Sequence, residues 1–76
     1  MTYKIDSQKA RALRHIKCDE NGKVISIEDM ALRMDISVYS LFEIETNPNA
    51  NPKLRTIMKF ISFYNIGFSD IIIIEE

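Results

Sequence analysis

The two side chains best suited to nucleophilic or acid–base chemistry in this sequence are His15 and Cys18. A reactive thiol needs a base beside it, and that base needs a third group to orient it. His15 instead has basic neighbours, and no carboxylate pair and no cluster with metal-ligand spacing is present in the sequence. A single cysteine cannot form an internal disulfide. We therefore predict no catalytic residues, no metal, no cofactor, and a protein that is not an enzyme.

The length of 76 residues allows a single domain over residues 1–76. Hydrophobic residues make up 46% of the chain, which is ample for a packed core. No apolar run approaches the roughly 20 residues that cross a bilayer. The first residues also lack the apolar stretch of a signal peptide. The sequence thus predicts a cytoplasmic protein that makes no membrane contact.

Charge is unevenly distributed along the chain, although the net charge is only −1. Residues 1–17 carry five basic side chains against one acidic side chain. Residues 18–47 carry seven acidic side chains against two basic ones, and residues 48–76 are balanced. Because duplex DNA attracts Lys and Arg and repels carboxylates, the middle third has the wrong sign for a typical DNA-binding surface.

Hydrophobic periodicity predicts four helices, at about 7–18, 26–34, 37–46 and 52–65. Ser7, Ser26 and Ser37 suit the positions that cap the first three, since a hydroxyl oxygen can accept from the free amides of a first turn. Pro52 suits the first position of the fourth helix, because its fixed φ is helical. Gly67 is the residue expected just beyond the end of that helix.

The apolar positions predict which face of each helix is buried. They are Ala10, Leu13 and Ile16 in the first helix, Met30, Ala31 and Met34 in the second, Leu41 and Ile44 in the third, and Leu54, Ile57, Met58, Ile61 and Phe60 or Tyr64 in the fourth. Between the first two helices, Asn21-Gly22 marks a turn. We predict a plain loop there rather than a β-hairpin, because the flanking residues do not alternate well.

The last element, at about 69–74, contains four consecutive isoleucines, Ile71, Ile72, Ile73 and Ile74. They fit either one helical turn docked on the core or a β-strand. As a strand, they would offer unpaired backbone groups to a second copy and form a self-complementary homodimer contact. The other interpretation is a tail that covers the core of its own chain.

The order of these features resembles the Cro/C1-type (XRE-like) helix–turn–helix family of phage and bacterial repressors. The matching stretches are Ala10-Arg11-Ala12-Leu13-Arg14, Ile25-Ser26-Ile27-Glu28-Asp29-Met30-Ala31-Leu32-Arg33-Met34-Asp35-Ile36-Ser37, Leu41, Ile44-Glu45, Pro52 and Ile66-Gly67-Phe68-Ser69-Asp70. The resemblance covers about residues 9–72. It implies an all-α fold, a compact lambda-repressor-like DNA-binding domain of four to five helices, with or without a short C-terminal β-strand.

The same resemblance implies roles for individual residues. Base edges would be contacted by Ser37, Val38, Tyr39, Ser40 and Glu43. DNA phosphates would be contacted by Arg11, Arg33, Asn47, Lys53 and Arg55. Arg14 and Glu45 would form a buried structural ion pair. Asp35 stands where the family usually has glycine, which predicts a different turn between the second and third helices.

Two functions are compatible with these residues. The first is a transcriptional regulator that binds double-stranded operator DNA as a homodimer. Glu43 can accept a hydrogen bond from cytosine N4, and Tyr39 or Val38 can contact a thymine methyl group. The alternative is an interaction protein, encoded by a phage or a bacterium, that binds and modulates another protein. The acidic third helix, with Tyr39 and Phe42 at helical spacing and without Lys, Arg or Gln, favours this alternative.

Overall fold

A computed structural model describes residues 2–75 and contains four α-helices with a short two-stranded antiparallel sheet. The elements in chain order are strand β1 (Thr2–Ile5), helices α1 (Ser7–Ile16), α2 (Ile27–Met34), α3 (Val38–Thr46) and α4 (Leu54–Tyr64), a 3₁₀ turn (Phe68–Asp70) and strand β2 (Ile72–Glu75). The prediction of a small, mostly helical fold is confirmed. The C-terminal strand that the prediction allowed for is present, whereas the strand at residues 2–5 was not predicted, so the fold is mostly helical rather than all-α.

The two strands pair so that Tyr3 lies opposite Ile74 and Ile5 lies opposite Ile72. The Asp6 N–H donates to the Ile71 carbonyl at 2.8 Å, where β1 gives way to α1. A C-terminal strand therefore exists, but it occupies 72–75 and pairs with the first residues of the same chain. The sequence did not predict β1, because four residues are too few to establish an alternating pattern.

The core is a single cluster that draws on all four helices and on both ends of the chain. Its members are Ile5, Ala10, Ile25, Met30, Ala31, Met34, Leu41, Ile44, Ile57, Phe60, Ile61 and Ile71. The burial of Ile71 corrects its assignment to a dimer contact, since this side chain is already packed inside its own chain. Ile72 is half-buried, while Ile73 and Ile74 remain exposed.

Three residues predicted to face inward are exposed instead, namely Ile16, Leu54 and Met58. Ile16 is the last residue of α1, so no core lies beneath it. On α4, the buried side chains are Ile57, Phe60 and Ile61. The apolar face of α4 is wider than the area that this small core covers, and Leu54 and Met58 lie outside the contact.

The loop between α1 and α2 is more ordered than predicted. Helix α1 ends at Ile16 rather than near residue 18, since Lys17 is extended and Cys18 forms an antiparallel bridge with Val24. Gly22 has a positive φ of 78°, a conformation that glycine adopts at little cost. The Asn21-Gly22 turn thus closes a minimal hairpin, which corrects the prediction of a plain loop.

The capping residues of α2 and α3 agree with the prediction, whereas the cap of α1 and the first residue of α4 differ from it. Ser26 and Ser37 each accept from a first-turn amide and cap α2 and α3. The cap of α1 is Asp6 rather than Ser7. Helix α4 begins at Leu54, two residues after Pro52, and it ends at Tyr64, followed by Asn65 with φ 55°. Gly67, predicted to end it, has an ordinary φ of −85°.

Candidate functional site

Helix α3 buries one side and exposes the other. Leu41, Ile44 and Glu45 are buried against the rest of the chain. On the outer side, Tyr39 is 71% exposed and Phe42 is 51% exposed, and Val38 is also exposed. Large side chains in such positions do not contribute to the core, so the outer side of α3 is an exposed apolar and aromatic surface.

Two serines fix the start of α3. The Ser40 N–H donates to the Ser37 hydroxyl oxygen at 3.0 Å, and the Ser37 hydroxyl donates to the Ser40 hydroxyl at 2.8 Å. The side-chain oxygen of Ser37 thereby satisfies an amide that has no partner inside the helix. Both serines, which were predicted to face bases, therefore also hold the helix start in place.

The turn between α2 and α3 is held by Asp35, which has the left-handed conformation (φ 60°, ψ 45°). A glycine would adopt this conformation freely, so the turn keeps the geometry of a glycine turn, and the prediction of a different turn is wrong. The Lys59 ammonium of α4 donates to the Asp35 carbonyl at 2.9 Å and to its carboxylate at 3.0 Å. These two contacts link the turn to α4.

An ion pair holds the far end of α3. The Arg14 Nε contacts the two carboxylate oxygens of Glu45 at 2.9 and 3.0 Å, and the Arg14 Nη1 donates to the Ile25 carbonyl at 2.9 Å. The Glu45 side chain is only 2% exposed and that of Arg14 only 14%. The Arg14–Glu45 contact, implied by the family resemblance, joins α1 to α3, and the bond to Ile25 adds the segment just before α2.

A shallow cleft of about 510 Å³ runs between α3 and the start of α4. It brings together five residues that were predicted to contact DNA, namely Tyr39, Ser40, Glu43, Asn47 and Lys53. Asn49, Asn51 and Thr56 also line it. Hydrogen-bond donors of the loop at 47–53 therefore lie directly beside the outer side of α3.

The charge in the cleft is centred on Glu43. The Asn47 side-chain amide donates to the Glu43 carboxylate at 3.0 Å. A hydrogen bond to Glu43, together with the negative charge of that group, raises the pKa of Tyr39 above its usual value. The Lys53 ammonium supplies positive charge at the other wall of the cleft.

The remaining predicted phosphate contacts lie elsewhere. Arg33 is engaged with Asp29 one turn earlier in α2, at 3.2 Å. Arg55 belongs to a neighbouring surface of α4 that also contains the exposed Leu54 and Met58. Arg11 is exposed on α1 and does not line the cleft. The structure thus groups half of the predicted DNA-contacting residues and leaves these three arginines outside the cleft.

Two residues at this site were not predicted from the sequence. Thr56 lines the cleft because α4 begins at Leu54, which turns the first turn of that helix toward α3. Lys59 holds the turn at Asp35 from 24 positions away, and no local pattern signals such a contact. An Asp in a position typical of glycine was the only sequence signal that the turn needed support.

Tyr64 lies near the Arg14–Glu45 ion pair, and its hydroxyl is buried without a hydrogen-bond partner among residues 2–75. Burial raises the pKa of Tyr64 to about 12, with the negative charge of Glu45 adding to the effect and the positive charge of Arg14 opposing it. The ring also contacts Phe60 and Phe63 edge to face, with centroids 5.0 and 5.4 Å apart. Tyr64 thus packs against the edge of the core.

Comparisons with models of known protein families, with curated proteins and with solved structures found no match. Within residues 2–75, no group of three or more His, Cys, Asp or Glu side chains is placed to hold a metal ion. No helix of this described part combines the length and the apolar character needed to cross a membrane.

Proposed function

We propose that this chain is a small helix–turn–helix transcriptional regulator of the cytoplasm, lambda-repressor-like in fold, that binds operator DNA. In this proposal, α3 enters the major groove, and residues 47–53 lie along the neighbouring phosphates. The cleft between α3 and α4 carries the proposal. It places three residues expected to face bases, Tyr39, Ser40 and Glu43, beside two expected to contact phosphates, Asn47 and Lys53.

The dimensions and exposure of α3 support this placement. The major groove admits one α-helix, and a helix of nine residues is roughly 14 Å long. Val38 and Tyr39 occupy the first turn, and Glu43 follows one turn later on the same side as Tyr39. A helix held at both ends, by Ser37 at its start and by the Arg14–Glu45 pair near its end, presents these side chains in a fixed orientation.

The residue chemistry gives specific contacts to test. Glu43 would accept from cytosine N4, and the Tyr39 ring would contact a thymine methyl group. Lys53 would neutralise a phosphate, while Asn47 and its neighbouring asparagines would donate uncharged hydrogen bonds. Among residues 2–75, Lys53 is the one basic side chain that lines the cleft, so we expect a shallow salt dependence, with a slope of about −0.9 per chain in log K against log salt.

The test begins with selection of bound sequences from a random duplex pool, followed by anisotropy titrations at several salt concentrations. Lys53→Gln should weaken binding to every selected sequence and reduce the salt slope by about 1. Glu43→Gln should change the preferred base at one position, with a cost of about 1–3 kcal/mol.

The matched control for Lys53 is Lys23→Gln, since Lys23 lies in the loop between α1 and α2 and does not line the cleft. It should leave the affinity nearly unchanged. The proposal is contradicted if no sequence is enriched and binding shows no salt dependence, or if Lys23→Gln and Lys53→Gln have equal effects.

A second candidate function is binding to another protein through α3. The observation that favours it is the exposure of Tyr39 and Phe42 on a helix without Lys or Arg. Aromatic anchors dominate many protein interfaces, and an acidic surface suits a basic partner. Under this function, Tyr39→Ala would abolish capture of the partner, and Glu43→Lys would increase binding to DNA. Enriched duplexes and a loss of DNA binding in Lys53→Gln would contradict it.

A further inference from the structure

Strand β2 leaves one edge unpaired. In an antiparallel pair, consecutive residues direct their N–H and C=O groups alternately toward and away from the neighbouring strand. The Asp6 N–H points toward β2, since it donates to Ile71, whereas the Ile5 N–H points away and donates to the Pro48 carbonyl at 3.0 Å.

The register pairs Ile5 with Ile72 and Tyr3 with Ile74. The backbone groups of Ile72 and Ile74 therefore point outward, and no backbone partner faces them within residues 2–75.

We propose that a second copy of this chain pairs with this edge, β2 against β2 in antiparallel orientation, about a two-fold axis at Ile73. The sheet then has four strands in the order β1-β2-β2-β1. This inference concerns a different surface from the α3 cleft and does not depend on the partner of α3.

The spacing of the outward groups fits a second copy. With the axis at Ile73, Ile72 of each chain faces Ile74 of the other, and each facing pair exchanges two hydrogen bonds. The outward backbone groups of Ile72 and Ile74 in both chains are thus hydrogen-bonded in one symmetric contact. A two-fold contact of this kind is self-complementary, because each edge supplies the groups that the other edge lacks.

The side chains along the edge favour the same partner. Edge strands that must stay unpaired usually carry charges or proline, but the first three of the four residues of β2 are isoleucines. Ile73 and Ile74 are exposed in the single chain. Glu75 is bonded to Lys4 across the intramolecular pair at 3.4 Å, and in the proposed register it faces position 71 of the partner. Glu75 therefore faces an isoleucine of the partner rather than a like charge.

The register predicts a specific crosslink, because the two Ile73 side chains form the closest cross-strand pair at the axis. The experiment uses the full chain with Cys18→Ser as background, so that the natural thiol does not interfere. Ile73→Cys should form a disulfide-linked dimer under mild oxidation. Ile16→Cys, which places a thiol at another exposed isoleucine, is the matched control and should form far less of it.

Sedimentation equilibrium tests the association without a crosslink. Ile74→Pro removes an outward N–H without touching the pairing with β1, and we expect it to raise the dimer Kd by about tenfold or more. Ile73→Lys, which opposes two positive charges at the axis, should have a similar effect, whereas Ile16→Lys should have none. Circular dichroism checks that each variant keeps its helices.

Two results would overturn the proposal. One is a wild-type chain that remains monomeric at about 1 mM, a concentration at which even a Kd of about 1 mM gives a large dimer fraction. The other is a dimer whose Kd is the same in Ile74→Pro and Ile73→Lys, combined with equal crosslinking of Ile73→Cys and Ile16→Cys. Loss of DNA binding by Lys53→Gln with the dimer intact separates the two proposals.

Discussion

The Arg14–Glu45 pair is the most buried charged contact among residues 2–75, and it joins three parts of the chain. We predict that Arg14→Met lowers the free energy of unfolding by about 3–5 kcal/mol, because it leaves the Glu45 carboxylate buried without its partner. Urea denaturation measures the change. Arg14→Met combined with Glu45→Leu should recover part of the loss, since no unpaired charge remains.

The control for this change is the exposed Arg33–Asp29 pair on α2. Arg33→Met should cost no more than about 1 kcal/mol, as expected for an ion pair in water. If Arg14→Met and Arg33→Met cost the same, the Arg14–Glu45 pair does not hold α3 in place.

Tyr64 gives a pH-dependent prediction. The tyrosine pKa is about 10 in an unfolded chain, whereas burial raises the pKa of Tyr64 to about 12 in the folded chain. Between these values, the unfolded chain has lost the proton that the folded chain keeps. The free energy of unfolding should therefore fall as pH rises from about 10 to 12.

Absorbance at alkaline pH, where tyrosinate absorbs, measures the titration directly. Wild-type protein should show one tyrosine that titrates near the upper end of this range, and Tyr64→Phe should remove that step. Tyr39→Phe is the comparison variant and should keep it. A late step that persists in Tyr64→Phe would show that another tyrosine is responsible.

At the scale of elements, the turn that joins α2 and α3 depends on a residue type that is strained there. A left-handed conformation costs a residue with a Cβ roughly 1–2 kcal/mol, and less for Asp or Asn. We predict that the free energy of unfolding of Asp35→Gly is at least equal to that of wild type, and that Asp35→Ala lowers it by about 1 kcal/mol. Thermal and urea denaturation measure the order.

Asp35→Asn separates conformation from charge, because asparagine tolerates the left-handed region but cannot pair with the Lys59 ammonium. It should stay within about 0.5 kcal/mol of wild type, since the Asp35 carboxylate is exposed. If Asp35→Asn is as unstable as Asp35→Ala, the contact with Lys59, rather than the conformation of the turn, holds the two helices.

The middle elements could be predicted from the sequence, because their signals are local. Ser26 and Ser37 stand just before apolar residues at helical spacing, and the structure caps α2 and α3 with them. The end of α1 was misplaced because it depends on a contact beyond the helix, whereas α4 ends within one residue of its predicted end. The bridge of Cys18 to Val24 stops α1, and the left-handed Asn65 stops α4.

At the scale of the whole molecule, the tail closes the core. Ile71 has no exposed surface, whereas Ile74 protrudes beyond the core on the same tail. We predict that Ile71→Ala lowers the free energy of unfolding by about 2–4 kcal/mol, as expected for a large-to-small change in a packed core. Ile74→Ala, the matched control, should cost less than about 0.5 kcal/mol at concentrations where the chain is monomeric.

Denaturation at low protein concentration measures the stability of the single chain, so a loss of association does not contribute to the difference between Ile71→Ala and Ile74→Ala. Equal losses in Ile71→Ala and Ile74→Ala would contradict a tail that is packed at its start and free at its end. Because this domain is small, a loss of this size removes a large part of its total stability.

The site could be predicted only in part from the sequence. The outward residues of α3 follow from helical spacing once Leu41 and Ile44 are taken as buried. The cleft does not follow from spacing, because it depends on where α4 begins relative to Asn47 and Lys53. The pairing of β2 with β1 joins residues some 70 positions apart, and no local pattern encodes such a partner.

The hydrogen bond from Ile5 to Pro48 has a consequence for how far strand addition can proceed. In a paired assembly, each outer strand is β1, and the Ile5 N–H on that margin is already bonded to the Pro48 carbonyl. The loop containing Pro48 therefore occupies part of the margin to which a further strand would have to add. This contact opposes growth into fibres, the hazard of an isoleucine-rich segment. Replacement of this loop by a shorter one would expose that margin and favour fibril formation.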